Sequence, residues 1–138
     1  MSTSILVNEG KYNLMKGVYG DLVAGTSIKL ALIDNSVGPV TAATTYTNIS
    51  GKIVPGSVVT LLSKSIASNT NVLLAPPTIT GVASGITVKG YIIYFDNGSL
   101  PATLIGYTDN GTGLPFTTNG GNITITFSGS GIFRSLMD

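Results

Sequence analysis

The sequence contains no cysteine, no tryptophan and no histidine, and only 9% of its 138 residues are charged. Without cysteine there are no disulfides, no thiolate nucleophile and no cysteine-type zinc site. Without histidine the commonest general base and the commonest metal ligand are both missing. An average soluble domain carries about 25% charged residues, so solubility here must rest on Ser, Thr and Asn. Seven basic and six acidic residues give a net charge of +1, and they are scattered singly. Nucleic-acid binding by charge needs a clustered basic patch that neutralises several phosphates together, and no such cluster occurs. No apolar run approaches the roughly 18 residues of a membrane span, and no leader pattern opens the chain. The chain is therefore expected to be soluble and unprocessed, with neither nucleic acid nor membrane as partner. Low charge also weakens the repulsion between copies, which favours assembly.

What is present is β-sequence. Thr87 to Phe95 is the densest run of β-branched and aromatic residues, and Asp96-Asn97-Gly98-Ser99 closes it with a strong turn signal. Both of its alternating faces carry large apolar groups, so it is predicted to be the central strand, covered on both sides. Gly90 would let another backbone or ring come close. Further strands are predicted at Ser27 to Ile33, 52–54, Ser57 to Ile66, 72–75, 78–80, 104–108, 122–128 and 132–136. Residues 40–50 fit an exposed strand or an extended connection, and 113–121 an exposed loop.

The one helical pattern starts at Asn8-Glu9-Gly10 and reaches about Tyr19, with Asn8 as N-cap and Glu9 facing the helix dipole. Tyr12, Met15 and Tyr19, with Leu14 and Val18, would form its apolar stripe, packed on the sheet or on another subunit. The whole describes a single domain over 1–138, mainly β: a two-sheet antiparallel β-sandwich of jelly-roll type with one short N-terminal helix and a flexible N-terminal arm over 1–7.

No constellation for chemistry stands out. Asp96 and Asp109 sit in matching Asp-Asn-Gly turns, and as a pair they would suit a glycosidase or, with Asn97 and Asn110, a calcium site. Asp in such turns ordinarily bonds its own backbone. No Gly-x-Ser-x-Gly elbow and no phosphate-cradling glycine loop is present, so no catalytic residue, cofactor or metal is assigned. Four Asn-x-Ser/Thr sequences, beginning at Asn48, Asn97, Asn110 and Asn122, are what a chain this rich in those residues produces by chance. Tyr46, Tyr91, Tyr94 and Tyr107 could line a sugar-binding face, although core or subunit contact suits them better without tryptophan. Candidate interface residues are Ile5, Leu6 and Val7 of the arm, Tyr46, and the loop residues Leu114 and Phe116.

Asn8-Glu9-Gly10 before a short helix, Lys29-Leu30-Ala31-Leu32-Ile33-Asp34, Val88-Lys89-Gly90-Tyr91-Ile92-Ile93-Tyr94, Leu104-Ile105-Gly106-Tyr107, and Ile123-Thr124-Ile125-Thr126-Phe127 with Gly131-Ile132 follow one another over most of the chain. In order and spacing they resemble small structural proteins of tailed bacteriophage virions, most of all capsid cement or decoration proteins. The resemblance implies a non-enzymatic β-sandwich on the capsid surface, assembled in the host cytoplasm. It implies as partners the major capsid protein lattice and further copies of the chain, as homodimer or homotrimer. A phage tail or fibre component and a carbohydrate-binding module are the alternatives.

Overall fold

The computed structural model describes residues 4–17, 27–61, 64–67, 71–74, 77–109 and 113–125. Over these residues the protein is mainly β, with antiparallel sheets and two short helices. Its strands are β1 (Ser4–Leu6), β2 (Ile28–Asp34), β3 (Val59–Thr60), β4 (Lys64–Ala67), β5 (Asn71–Leu74), β6 (Thr78–Ile79), β7 (Thr87–Phe95), β8 (Thr103–Thr108), β9 (Phe116–Thr117) and β10 (Ile123–Thr124). The principal sheet runs β1-β8-β7-β2-β3, with β9 added alongside β7; β6 with β10 and β4 with β5 form separate two-stranded ribbons.

Strand β7 is central, as its sequence predicts. On one side it pairs with β2 from Ile28↔Phe95 to Asp34↔Val88. On the other it pairs with β8 from Tyr91↔Thr108 to Phe95↔Thr103, and β9 takes over at Val88↔Phe116. From Tyr91 onward the alternation of side chains sends its residues to two cores. The register shift opposite Ile33 and Asp34, which passes from Gly90 to Val88, brings Val88 to the side of Tyr91 and not, as strict alternation predicts, to that of Ile92. Val88, Tyr91, Ile93 and Phe95 join Leu30, Leu32, Ile79, Val82 and Ile125 on one face. Ile92 and Tyr94 join Val7, Ala31, Ile33, Ile49, Leu104 and Tyr107 on the other. Gly90 is where backbones meet: a Cβ there would collide with the carbonyl oxygen of Thr108 and lie 3.2 Å from Asp109 Cα.

The helix α1 (Asn8–Met15) begins where the sequence places it, but its N-cap is Val7, with no side-chain cap, and Asn8 is the first helical residue. Its expected stripe is divided. Leu14 packs toward the first core, and Gly10 lies so close to β8 that a Cβ would stand 2.6 Å from Ile105 Cα. Tyr12 and Met15 face outward, 56% and 82% exposed. Residues two and five beyond Gly10 point away from the side on which residues 10 and 14 pack, so glycine, which reads as a weak helix former, marks the contact face. Val18, Tyr19 and Gly20 lie outside the described residues.

A second helix, α2 (Tyr46–Ile49), continues into a 3₁₀ turn at Ser50–Lys52, where an extended segment is expected. Thr45 and Asn48 close a capping box, each side chain accepting from the other's backbone N–H. Helix and turn place Ile49 in the second core. The arm expected over 1–7 is, from Ser4 onward, edge strand β1 on β8, and the loop expected over 113–121 contains β9. The strand predicted from Ser57 to Ile66 divides into β3 and β4, and that at 52–54 reduces to one bridge, Ile33↔Ile53. Residues 126–138, including the predicted strand at 132–136, lie outside the described residues.

Between that bridge and β3 the chain leaves β2 at Pro55-Gly56, and Ser57 repairs the break. Its Oγ accepts from Leu32 N at 3.1 Å and donates to Val54 O at 2.6 Å, with the residue fully buried. Ser57→Ala strands a buried amide and should lower stability by about 1–3 kcal/mol, read as a fall in urea midpoint at constant slope. Gly90→Ala forces backbones apart and should cost at least as much, about 1–3 kcal/mol or more. Equal stability of either variant and the parent would contradict these contacts.

Candidate functional site

The six candidate interface residues do not form one surface. Ile5, Val7 and Tyr46 belong with the second core, whereas Leu6, Leu114 and Phe116 pack against the first, across the principal sheet. Val7 is fully buried within its own chain, so it is no docking residue. The others are half-buried.

Glu9 gathers the second group, a role its reading as a dipole partner does not foresee. After Leu6 the chain leaves β8 to begin α1, while Val7 N still donates to Ile105 O at 3.0 Å. The Glu9 carboxylate takes the place of the strand that has departed: Oε2 accepts from Leu104 N at 2.7 Å and from Tyr46 N at 2.9 Å. Asn8 N donates to Ala42 O at 2.8 Å, tying the same helix start to the segment before α2. One carboxylate thus joins α1, α2 and β8. It acts as a structural clamp, with both backbone donors already in place, rather than as a base waiting for substrate. A carboxylate in the first turn of a helix is a visible sequence signal, but its partners are 37 and 95 residues away.

The tyrosines do not build a sugar platform. Tyr91, Tyr94 and Tyr107 are 4%, 3% and 0% exposed, and Tyr46 leans on Tyr94 with ring centroids 4.9 Å apart. Burial raises the hydroxyl pKa of Tyr91 to about 12. Burial does the same for Tyr94, to about 12, assisted by nearby Tyr46 and Asp96. Tyr107 is raised further, by burial and by Asp109, whose Oδ2 accepts its hydroxyl proton at 3.2 Å.

The two aspartates of the matching turns are far apart. Phe95↔Thr103 and Tyr91↔Thr108 define opposite ends of the β7–β8 ladder, and Asp96 and Asp109 lie just beyond those ends. At a rise of about 3.4 Å per residue they are roughly 20 Å apart, against the roughly 5–10 Å of a glycosidase pair. Asp96 Oδ1 accepts from Gly98 N at 3.0 Å, the turn role its sequence suggests. Among the described residues there is no group of three or more metal-ligating His, Cys, Asp or Glu.

Two surface features remain. One is a shallow cleft of about 370 Å³, with Val37, Val40 and Ile49 at its apolar side and Thr44, Asn48 and Lys52 among its polar groups. The other is the outer side of α1, where Tyr12 and Met15 are exposed and Lys16 Nζ stands 4.9 Å from the centre of the Tyr12 ring. Comparison with family models, with curated proteins and with solved structures finds no match to this chain.

Replacing Glu9 tests the clamp. Glu9→Ala leaves two backbone donors without their acceptor and should cost about 3 kcal/mol, while Glu9→Gln keeps one carbonyl oxygen and should cost less, about 1 kcal/mol. Equal urea midpoints for Ala variant and parent would refute the clamp. Alkaline titration tests the tyrosine burial. Unfolding lets Tyr91 and Tyr94 return from about 12 toward 10, so between those values the unfolded state binds fewer protons and stability falls as pH rises. The phenolate absorbance of these buried tyrosines should therefore appear together with loss of fold above pH 10; titration of all tyrosines near 10 in the folded protein would contradict it.

Proposed function

We propose that this protein is a non-enzymatic structural component of a bacteriophage virion, a capsid cement or decoration protein that bridges neighbouring capsid subunits on the head surface. The observation that carries the reading is the kind of surface left for partners. Both faces of the principal sheet are spent on internal cores, and the charged fraction is 9%. Outward, α1 presents Tyr12 and Met15 while its other side rests on β8, the neighbour of edge strand β1. Exposed apolar side chains beside a strand that ends the sheet among the described residues suit docking on protein, since edge amides and carbonyls can pair with another chain while apolar groups are desolvated. The order of motifs that resembles phage structural proteins agrees with this.

The same reading includes a β-sandwich. Its support is Ile79 of β6, Val82 and Ile125, which close the first core over Leu30, Leu32 and Ile93, the position that a second layer begun by the β6–β10 ribbon would take. The partners proposed are the major capsid protein lattice and further copies of the chain, with the protein incorporated during assembly in the host cytoplasm.

Purified protein added to heads that lack it should appear by electron microscopy as regular density at lattice symmetry positions and should raise the heat resistance of the heads. Tyr12→Glu and Met15→Glu should leave stability within about 0.5 kcal/mol, as exposed substitutions do, yet remove that density. Heads that stay bare while the protein is found in isolated tails would move it to the tail. Absence from every purified virion would overturn the reading.

A further inference from the structure

We propose that Asn97 is a self-modifying residue: the turn from Asp96 to Leu100 is arranged to convert it, through a succinimide, into aspartate and isoaspartate. The sequence contains three Asn-Gly pairs, at 97–98, 110–111 and 119–120. In each, the glycine amide nitrogen can attack the asparagine side-chain carbonyl carbon, because glycine carries no Cβ to obstruct the approach. Asn97 differs from Asn119 in what surrounds the reacting atoms. Asn97 Oδ1 accepts from Ser99 N and from Leu100 N, both at 2.9 Å. Two backbone N–H groups on the carbonyl oxygen that becomes negative are the donors of an oxyanion hole. The nucleophile is prepared as well. Gly98 N donates to Asp96 Oδ1 at 3.0 Å, so the proton that must leave already points at a carboxylate at the distance required of a general base. Among the described residues Asn119 Oδ1 accepts only from Gly121 N, at 2.8 Å, and no carboxylate accepts from Gly120 N.

The step balances without an oxidant or a cofactor. The Gly98 N–Cγ bond of Asn97 forms and the Cγ–Nδ2 bond breaks. The proton from Gly98 N passes by way of the Asp96 carboxylate to Nδ2, which departs as ammonia. Water then opens the ring at either carbonyl, giving aspartate in the original backbone or isoaspartate with the chain routed through the side chain. Asn97 and Gly98 are exposed, so water enters and ammonia leaves freely. The product adds a seventh acidic residue to the present seven basic and six acidic ones, taking the net charge from +1 to 0. The new charge sits beside Asp96 and near exposed Leu100, in the connection between β7 and β8. The surface of the protein therefore changes with age at this loop.

Folded protein incubated at 37 °C and mildly alkaline pH, sampled over time and mapped by peptide mass spectrometry, compares Asn97 with Asn119 in the same molecules. Asn97 should convert about tenfold faster or more, and the ratio should collapse toward one in urea, where both become simple Asn-Gly peptides. Asp96→Asn keeps an oxygen to accept from Gly98 N but removes the base, and should slow Asn97 about tenfold while Asn119 is unchanged. Conversion of Asn97 at or below the rate of Asn119 in the folded protein would show that the hydrogen bonds protect the turn, and would overturn the proposal. So would an Asp96→Asn variant that folds and converts at the parental rate. Should that variant not fold, the folded-against-urea ratio of the parent decides alone.

Discussion

Strand β7 has no face turned to water, and most of the molecule answers that constraint. From Gly90 to Phe95 every residue is buried, so every backbone amide and carbonyl in the stretch needs a protein partner. The demand is met on one flank by β2 along the whole strand and on the other by β8 and then β9. Both faces must then be covered by apolar groups from elsewhere. Ile79, Val82 and Ile125 cover one, and Val7 and Ile49 the other. Short elements that would be unstable alone, such as α2 and the β6–β10 ribbon, are held because their side chains complete these two cores.

Where the ladder is interrupted, a side chain stands in for the missing backbone. Ser57 does so beside β2, and Glu9 beside β8. The two substitutions answer the same physical need, since a buried amide without an acceptor costs more than an ordinary hydrogen bond contributes. They differ in reach. The Ser57 hydroxyl both donates and accepts within one turn of chain and one strand. The Glu9 carboxylate only accepts, and it binds segments distant in sequence. Among the described residues no buried side-chain polar atom lacks a hydrogen-bond partner, so these polar insertions strengthen the fold instead of straining it.

Elements that obey a single strong local rule were legible in the sequence. Thr87 to Phe95 is bounded as its β-branched run and Asp-Asn-Gly turn indicate, β2 falls within a residue of its predicted span, and Gly90 does mark a close approach of backbones. Elements decided by distant partners were not. Residues 46–49 carry weak helix formers, and only the Thr45–Asn48 box and the apolar site waiting for Ile49 make them helical. The stripe of α1 was misjudged because Tyr12 and Met15 are larger and more apolar than Gly10, whereas the sheet required the smallest residue at the contact. Of the candidate interface residues, Ile5 to Val7 read as a flexible arm because three consecutive apolar residues carry no register of their own; for Ile5 and Leu6 the register comes from β8.

A sheet occupied on both faces limits how such a protein recognises anything. Among the described residues both faces of the principal sheet are consumed internally, which leaves edges, loops and the outer side of α1. Long-range electrostatic steering is weak at a net charge of +1, which removes the usual device for selecting a partner at a distance. On the proposed reading, selectivity would be short-range, from backbone pairing at β1 and from the shape of exposed groups such as Tyr12 and Met15. Contacts of that kind are individually modest and are made effective by repetition, since a second contact on the same lattice forms at the high local concentration created by the first. That is the physical logic by which the proposed role on a repeating array, in place of a single soluble ligand, would suit a low-charge β-protein.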